Sequence, residues 1–147
     1  MVPPTFMTAT GPRMSEALQY AVAYRIDNGR LEFCLVMRPG AACWEFPSAA
    51  GEDPLNSQQL EHALRSLGVQ ATLDSDPLER FRITHGQQSS DVAVFMAEVD
   101  AYHSETAIPT GLRVKWCLAE EARARIRRKP LRRMIDRAAH RLSNRNL

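Results

Sequence analysis

The spacing of apolar and polar residues predicts a β-sheet in the first half of the chain. Two apolar runs, "QYAVAYRI" (residues 19–26) and "LEFCLVMR" (residues 31–38), flank the turn sequence "DNGR". Because Asn-Gly favours the tight turn of a hairpin, these runs are predicted to be paired strands. Further along, "VQATL", "ERFRITHGQQSSDVAVFMAEVD" and "LRVKWCL" are also typical of strands, and the second of them is two strands around a turn.

A short helix is predicted from about Ser57 to Leu67, within "CWEFPSAAGEDPLNSQQLEHALRSLGVQ". Asn56 and Gln59 fit the two positions of a capping box, and Leu55 fits a hydrophobic staple onto Leu60. Apolar residues then recur with the helical period and predict one buried face: Leu60, Ala63, Leu64 and Leu67.

Two helices are predicted to close the chain, from Ala119 to about Arg127 and from Leu131 to about Ser143. Pro130 is expected to force the break between them. The second helix carries a stripe of apolar residues that predicts packing against the sheet: Leu131, Met134, Ile135, Ala138 and Leu142. This order of elements predicts an α+β fold, an α/β/α sandwich with a mixed sheet and a C-terminal helix.

Length and composition indicate one globular domain. The chain has 147 residues, of which 44% are apolar and 24% charged. Residues 1–15 hold three prolines without periodicity and are predicted to be a loose arm, which leaves residues 16–147 as a single domain. No window is apolar for long enough to span a membrane, and "MVPPTFMTATGPR" lacks the features of a secretory signal. Three cysteines without a Cys-x-x-Cys pair indicate reduced thiols and a cytoplasmic location.

The net charge of +2 is distributed unevenly. Residues 113–147 carry 12 Lys or Arg and 3 Asp or Glu, a balance of +9, which leaves −7 for the rest of the chain. A nucleic-acid partner is one interpretation. The favoured one is a solvated helix face beside an acidic body, since Trp116 is the only aromatic residue after Tyr102 and stacking on bases would need more.

Four pieces in this order resemble the Nudix family of nucleotide pyrophosphohydrolases: a strand ending "CLVMRP", then "WEFP", a helix closing with "LGV", and "KWCLAEEARA" before the last helix. The resemblance extends from Ala17 to Leu142. The segment "ERFRIT…VAVFMAEV" looks most like the diadenosine-tetraphosphatase branch. The resemblance implies the family's fold and, in an active member, hydrolysis assisted by Mg²⁺ or Mn²⁺.

The family's functional motif is degenerate in this chain. It consists of Gly, five residues, Glu, seven residues, and then Arg-Glu-aliphatic-x-Glu-Glu-x-Gly-aliphatic. Aligned on Gly68, the Arg and the three helical Glu positions fall on residues that do not match: Glu61, His62, Arg65 and Ser66. The upstream Glu falls on Asp53, and both Glu52 and Asp53 align only loosely because the preceding loop is short.

The missing carboxylates argue against a metal site. Positions 62, 65 and 66 share one helical face, where three carboxylates would form the oxygen cage that Mg²⁺ prefers. A guanidinium at Arg65 would instead repel a divalent ion by an amount on the order of 1 kcal/mol even in high dielectric. No metal or other cofactor is therefore predicted. Mg²⁺ or Mn²⁺ is expected only if Glu52, Asp53 and Glu61 form a divergent catalytic site.

Five residues are candidates for contact with a ligand: Arg38, Trp44, His62, Arg65 and His85. The guanidiniums of Arg38 and Arg65 could bind a phosphate, although for Arg65 taken alone the favoured interpretation is an ordinary ion pair with Glu61 one turn away. The two histidines could simply be solvated. Strand alternation is expected to separate Trp44 from Phe46, with Phe46 in the core and Trp44 nearer a ligand.

Three functions remain open. The favoured hypothesis is a protein of the Nudix superfamily that binds a nucleotide or another phosphorylated small molecule with little or no hydrolysis. The alternative is a divergent metal-dependent hydrolase of dinucleoside polyphosphates or other substrates linked through a nucleoside diphosphate. The third is a nucleic-acid-binding module that uses the basic C-terminal helices. No membrane partner is expected, and the oligomeric state is left open.

Overall fold

The computed structural model describes residues 15–51, 53, 55–109 and 111–145. The predicted arm therefore lies outside the described residues except for its last residue. Seven strands and three helices follow one another in the described residues: β1 (Ser15–Asp27), β2 (Arg30–Met37), β3 (Ser48–Gly51), α1 (Gln58–Ser66), β4 (Val69–Leu73), β5 (Glu79–His85), β6 (Gln88–Tyr102), β7 (Arg113–Leu118), α2 (Ala119–Arg125) and α3 (Lys129–Arg145).

The strands form one mixed sheet, as predicted. Its main path has the order β4-β6-β1-β2-β7, while β3 pairs with β1 and β5 pairs with β6. The central strands β1 and β6 are parallel, and the other pairs are antiparallel. Asn28 and Gly29 have φ angles of 53° and 77°, which fit the predicted tight turn between β1 and β2.

The two faces of the sheet bury two separate apolar clusters, which confirms the α/β/α sandwich. In β1, Tyr20 and Val22 point to the face covered by α2 and α3, while Ala21 and Ala23 point to the face covered by α1. This follows from the two-residue period of a strand. Gln19, a buried polar residue, ties β1 to the start of α1 because its Nε2 donates a hydrogen bond to the Asn56 carbonyl oxygen at 2.7 Å.

Helix α1 is confirmed, but its predicted N-terminal details are wrong. Asn56 Oδ1 accepts a hydrogen bond from the Gln58 backbone N–H at 3.1 Å, while the Asn56 N–H donates to the Asp53 carbonyl oxygen and not to Gln59. Leu55 is 52% exposed, so the predicted staple does not form. A local turn is the reason, because Asp53 Oδ1 accepts the Leu55 N–H at 2.9 Å and directs this residue outward.

The C-terminal helices differ from the prediction at their junction. Helix α2 ends at Arg125, and Pro130 lies in the first turn of α3 instead of in the break. A proline is tolerated there because the first N–H groups of a helix have no partner within the helix. The predicted stripe is confirmed: Leu131, Met134, Ile135 and Ala138 are buried and Leu142 is partly buried.

The arginines of α3 face both solvent and the acidic part of the chain. Arg137 forms an ion pair with Glu79, and Arg145 Nη2 lies 2.6 Å from Asp74 Oδ2. Part of the positive charge of the C-terminal segment is therefore neutralised within the fold. None of the described helices is long and apolar enough to cross a membrane.

We expect the apolar stripe of α3 to contribute strongly to stability. Met134→Ala and Ile135→Ala should each lower the free energy of unfolding by about 2–5 kcal/mol, because each leaves a cavity in the packed core. Leu142→Ala should cost less, since this side chain is only partly buried. Urea unfolding followed by circular dichroism measures all three. Equal small losses at all three positions would contradict the packing described here.

Arg132 and Arg133 should differ in their effect on stability, although sequence alone predicts little cost for either. Arg132 donates hydrogen bonds to the carbonyl oxygens of Ile126 at 3.0 Å and Arg127 at 2.8 Å, whereas Arg133 is exposed. We therefore expect Arg132→Gln to cost about 1–2 kcal/mol, because it weakens two charge-assisted bonds that hold the helix junction. The matched variant Arg133→Gln should cost under about 0.5 kcal/mol in the same urea assay. Indistinguishable variants would contradict this assignment.

Candidate functional site

A cavity of about 470 Å³ opens on the face of the sheet that α1 covers. We call it the Arg38 cavity. Its wall is formed by the end of β2, the start of β3, the last turn of α1 and the loop before β7: Val36, Arg38, Pro39, Pro47, Ser48, Ala63, Ser66, Leu67, Pro109 and Leu112. This volume lies within the range of small-molecule sites, which are mostly apolar with a few polar groups.

Backbone pairing brings these segments together. Val36 exchanges two hydrogen bonds with Glu45, at 2.8 and 2.9 Å, so the "WEFP" segment lies beside the end of β2. Ala21 of β1 donates to the Pro47 carbonyl oxygen at 2.9 Å and fixes the start of β3. On the opposite wall, Gly111 has a φ angle of 85° and packs on Pro39, where an added Cβ would lie 2.9 Å from Cγ.

Arg38 supplies the positive charge of this cavity. Its Nη2 donates a hydrogen bond to Ser48 Oγ at 2.8 Å, and it has no carboxylate partner among the described residues. Ser66 contributes a second hydroxyl to the wall, and its Oγ donates to the Ala63 carbonyl oxygen at 2.7 Å. Among the described residues, the cavity wall therefore combines one guanidinium without a carboxylate partner and two hydroxyl groups with apolar surfaces.

The other candidates on α1 do not line the cavity. His62 and Arg65 are exposed on the helix surface. Of the three residues 62, 65 and 66, which the sequence alignment places on one face of the helix, Ser66 alone lines the cavity. The ion pair that was considered between Glu61 and Arg65 does not form. Arg65 is therefore an exposed cation without an acidic partner in the part of the chain that the structure describes.

The described carboxylates do not form a metal-binding cluster. Asp53 is exposed and its Oδ1 is used by the Leu55 N–H, while Glu61 is half-buried on α1. Glu52 lies outside the described residues. No group of three or more His, Cys, Asp or Glu side chains is arranged for a metal ion within residues 15–51, 53, 55–109 and 111–145. This donor set does not fit Mg²⁺, which prefers several oxygen ligands.

The predicted separation of Trp44 and Phe46 is wrong. Both side chains are buried in the same apolar cluster, on the face that α2 and α3 cover. The reason is their spacing, because residues two apart in an extended segment point to the same side. Trp44 therefore lies away from the Arg38 cavity. His85 ends β5, and its side chain lies outside the described part of the structure.

Solved structures with this architecture identify the fold. The Ap4A hydrolase of C. elegans is similar with a TM-score of 0.69 and 16% identity, over 87% of this chain and 98% of its own. A NUDIX hydrolase from Nitrosomonas europaea has a TM-score of 0.68 and 16% identity, over 86% and 89%. The NUDIX domain of NrtR from Shewanella oneidensis, solved with ADP ribose, has a TM-score of 0.63 and 17% identity, over 97% and 99%.

The chain has the Nudix fold. No family model and no curated protein matches the sequence, so the likeness concerns the fold alone. Helix α1 is the element onto which the sequence resemblance aligns the family's motif.

Sequence reasoning missed two parts of the Arg38 cavity. Ser48 was not predicted as a wall residue, although its position directly after "WEFP" could have placed it near the end of β2. The loop with Pro109 and Leu112 gives no signal in the sequence, because its place in the wall depends on how it packs against Pro39.

The pKa of Tyr20 is shifted by burial and by the charged residues at this end of the sheet. Burial and, after it, the negative charge of Glu45 raise the pKa of its hydroxyl, while the positive charges of Arg128 and Arg38 oppose the shift. These three charges therefore all act on the Tyr20 hydroxyl, and the negative charge of Glu45 has the largest effect among them.

Two of the three cysteines are unsuited to act as nucleophiles. Burial raises the pKa of Cys34 to about 12, and burial together with the nearby Glu121 carboxylate raises the pKa of Cys117 to about 11. The thiolate is the reactive form, and a raised pKa makes it scarce near neutral pH. Cys43 is only partly buried.

We expect only Cys43 to react rapidly in the native protein. At pH 8 a chromogenic disulfide reagent should modify one thiol in buffer and three in denaturant, because unfolding exposes Cys34 and Cys117 and removes the cause of their raised pKa. Cys43→Ser should abolish the native reaction without changing the melting temperature. A second thiol that reacts as fast as Cys43 would contradict the burial of this pair.

Proposed function

We propose that this protein binds a nucleotide or another phosphorylated small molecule in the Arg38 cavity, with little or no hydrolysis. The observation that carries the proposal is the composition of the cavity wall. It has one guanidinium without a carboxylate partner in the described part of the chain, hydroxyls from Ser48 and Ser66, and apolar surfaces elsewhere. Arginine donors in a fork match the geometry of phosphate oxygens.

The size of the cavity and the likeness to other proteins support this ligand class. A volume of about 470 Å³ suits a mononucleotide or a similar small molecule better than a single ion. Among the similar structures, the NrtR domain was solved with ADP ribose, and the C. elegans protein is named for Ap4A. These two compounds are therefore suitable first probes.

The positions of the degenerate motif support weak or absent hydrolysis. Pyrophosphate cleavage relies on divalent metal to neutralise the phosphoryl oxygens and on a positioned water. In the alignment with the family's motif, His62, Arg65 and Ser66 take the positions of carboxylates, and the described acids Asp53 and Glu61 belong to no group that could hold a metal ion. We propose that phosphate is held by arginine in this protein, in place of metal.

Calorimetric titration with ADP ribose tests the binding proposal. Arg38→Gln should weaken binding by about tenfold or more, because a charge-assisted hydrogen bond is worth about 1.5–3 kcal/mol. Arg133→Gln, an exposed cation on α3, is the matched control and should bind like the wild type. Unchanged melting temperatures would show that both variants are folded. Equal affinity for Arg38→Gln and wild type would refute the role of this cavity.

A magnesium titration separates the proposal from the hydrolase alternative. Millimolar Mg²⁺ or Mn²⁺ should produce no saturable rise in melting temperature, since a ligand that binds the native state stabilises it by linkage. Turnover of ADP ribose and Ap4A should stay near background. A saturable rise, together with turnover that Asp53→Asn or Glu61→Gln abolishes, would establish the divergent hydrolase instead.

A further inference from the structure

A second cavity, of about 320 Å³, lies at the β7 edge of the sheet, beside α2. Its wall consists of Trp44, Arg113, Val114, Lys115 and Arg125. Arg113 and Lys115 are two apart on β7 and point to the same side, while Arg125 reaches the site from the last turn of α2. We call it the Trp44 cavity. It shares no residue with the wall of the Arg38 cavity.

Two guanidiniums are held against one indole ring at the base of this site. The Cζ atoms of Arg113 and Arg125 lie 5.4 and 5.8 Å from the centroid of the Trp44 ring. Both distances fall within the range of cation–π contacts, which hold cations near an aromatic face. Trp44 is 7% exposed, so its ring supports the arginines and offers little surface for stacking on a base.

The cations of the Trp44 cavity exceed the anions beside them. Glu121 pairs with Arg125 Nε at 2.9 Å and with Lys115 Nζ at 3.4 Å. Arg113 has no carboxylate partner in the described residues, and its side chain is exposed. Three cations and one carboxylate leave a local charge of +2. Like charges at such spacing repel one another, and an anion placed between them would relieve that repulsion.

We propose that the Trp44 cavity binds a phosphate group that carries about two negative charges, as in inorganic phosphate, pyrophosphate or the terminal phosphate of a small molecule. A phosphate monoester near pH 7 carries a charge of about −1.5 to −2, which matches the surplus in the site. Arginine suits the ligand because its planar fork matches phosphate oxygens. A phosphodiester carries one negative charge per group, so a nucleic-acid backbone matches the site less well.

Residue-resolved NMR of the full chain tests this inference with pyrophosphate as the probe. In a ¹⁵N correlation spectrum, pyrophosphate should cause saturable shifts in the Trp44 indole N–H and in the amides of residues 113–115. Arg113→Gln should weaken this binding by about tenfold, because it removes the charged donor that has no acidic partner. Lys115→Gln, a second variant on the same wall, should weaken it as well.

One control makes the result specific to the Trp44 cavity. Arg133→Gln removes an exposed cation elsewhere and should leave unchanged the dissociation constant measured from the shifts at Trp44 and at residues 113–115. Loss of pyrophosphate binding in Arg38→Gln, without loss in Arg113→Gln, would overturn the assignment. Absence of saturable shifts at Trp44 and at residues 113–115 would overturn it directly.

A short single-stranded oligonucleotide distinguishes the source of the phosphate. It should bind the Trp44 cavity more weakly than pyrophosphate at the same salt concentration. Tighter binding of the oligonucleotide, with shifts spread along α3 and a steep loss on added salt, would mean that the basic residues serve a nucleic-acid backbone. That outcome would replace the small phosphate ligand proposed here.

Discussion

The parallel pairing of β1 and β6 is the constraint on which the rest of the fold depends. It extends from Ser15 opposite Ser89 to Tyr24 opposite Glu98 and lies at the centre of the sheet. Parallel neighbours need a long crossover connection, which here includes α1. Because both strands are buried on both faces, the sheet needs a helical layer on each side, and these layers are α1 and the α2–α3 pair.

Both cavities follow from where the layers end. The Arg38 cavity forms where β2 ends beside the last turn of α1 and the chain continues toward the "WEFP" segment. The Trp44 cavity forms at the β7 edge, where α2 covers the strand incompletely. Each site therefore combines a fixed backbone with side chains at an edge, where cations can stay hydrated in the absence of ligand.

The strands and helices with a clear apolar periodicity or turn sequence could be predicted from the sequence. The Asn-Gly hairpin, the stripe of α3 and the order of the elements other than β3 are as expected, because each depends on local chemistry or on one buried face. Strand β3 was not predicted. The predicted capping box of α1 failed because the Asn56 N–H donates to the Asp53 carbonyl oxygen, and the staple failed because the side chain of Asp53 binds the Leu55 N–H and directs Leu55 outward. The predicted separation of Trp44 from Phe46 failed because residues two apart in an extended segment point to the same side.

The candidate site was less predictable than the fold. Arg38 could be found from its place at the end of a strand, whereas the walls near Leu112 and Arg125 come from segments far apart in sequence. Periodicity carries no information on such long-range contacts. The role of Arg132 in joining two helices was likewise hidden, because its partners are backbone carbonyl groups.

The position of α3 along the chain has a consequence for biosynthesis. This helix covers the face that holds Tyr20, Val22 and Val94, yet it is the last of the described elements to leave the ribosome. During translation, part of the apolar face that α3 covers therefore stays exposed until this helix has been synthesised. Exposed apolar surface of this kind favours association between nascent chains. Chaperone capture in that interval would therefore act on the α3 side of the sheet, and release would coincide with docking of the helix.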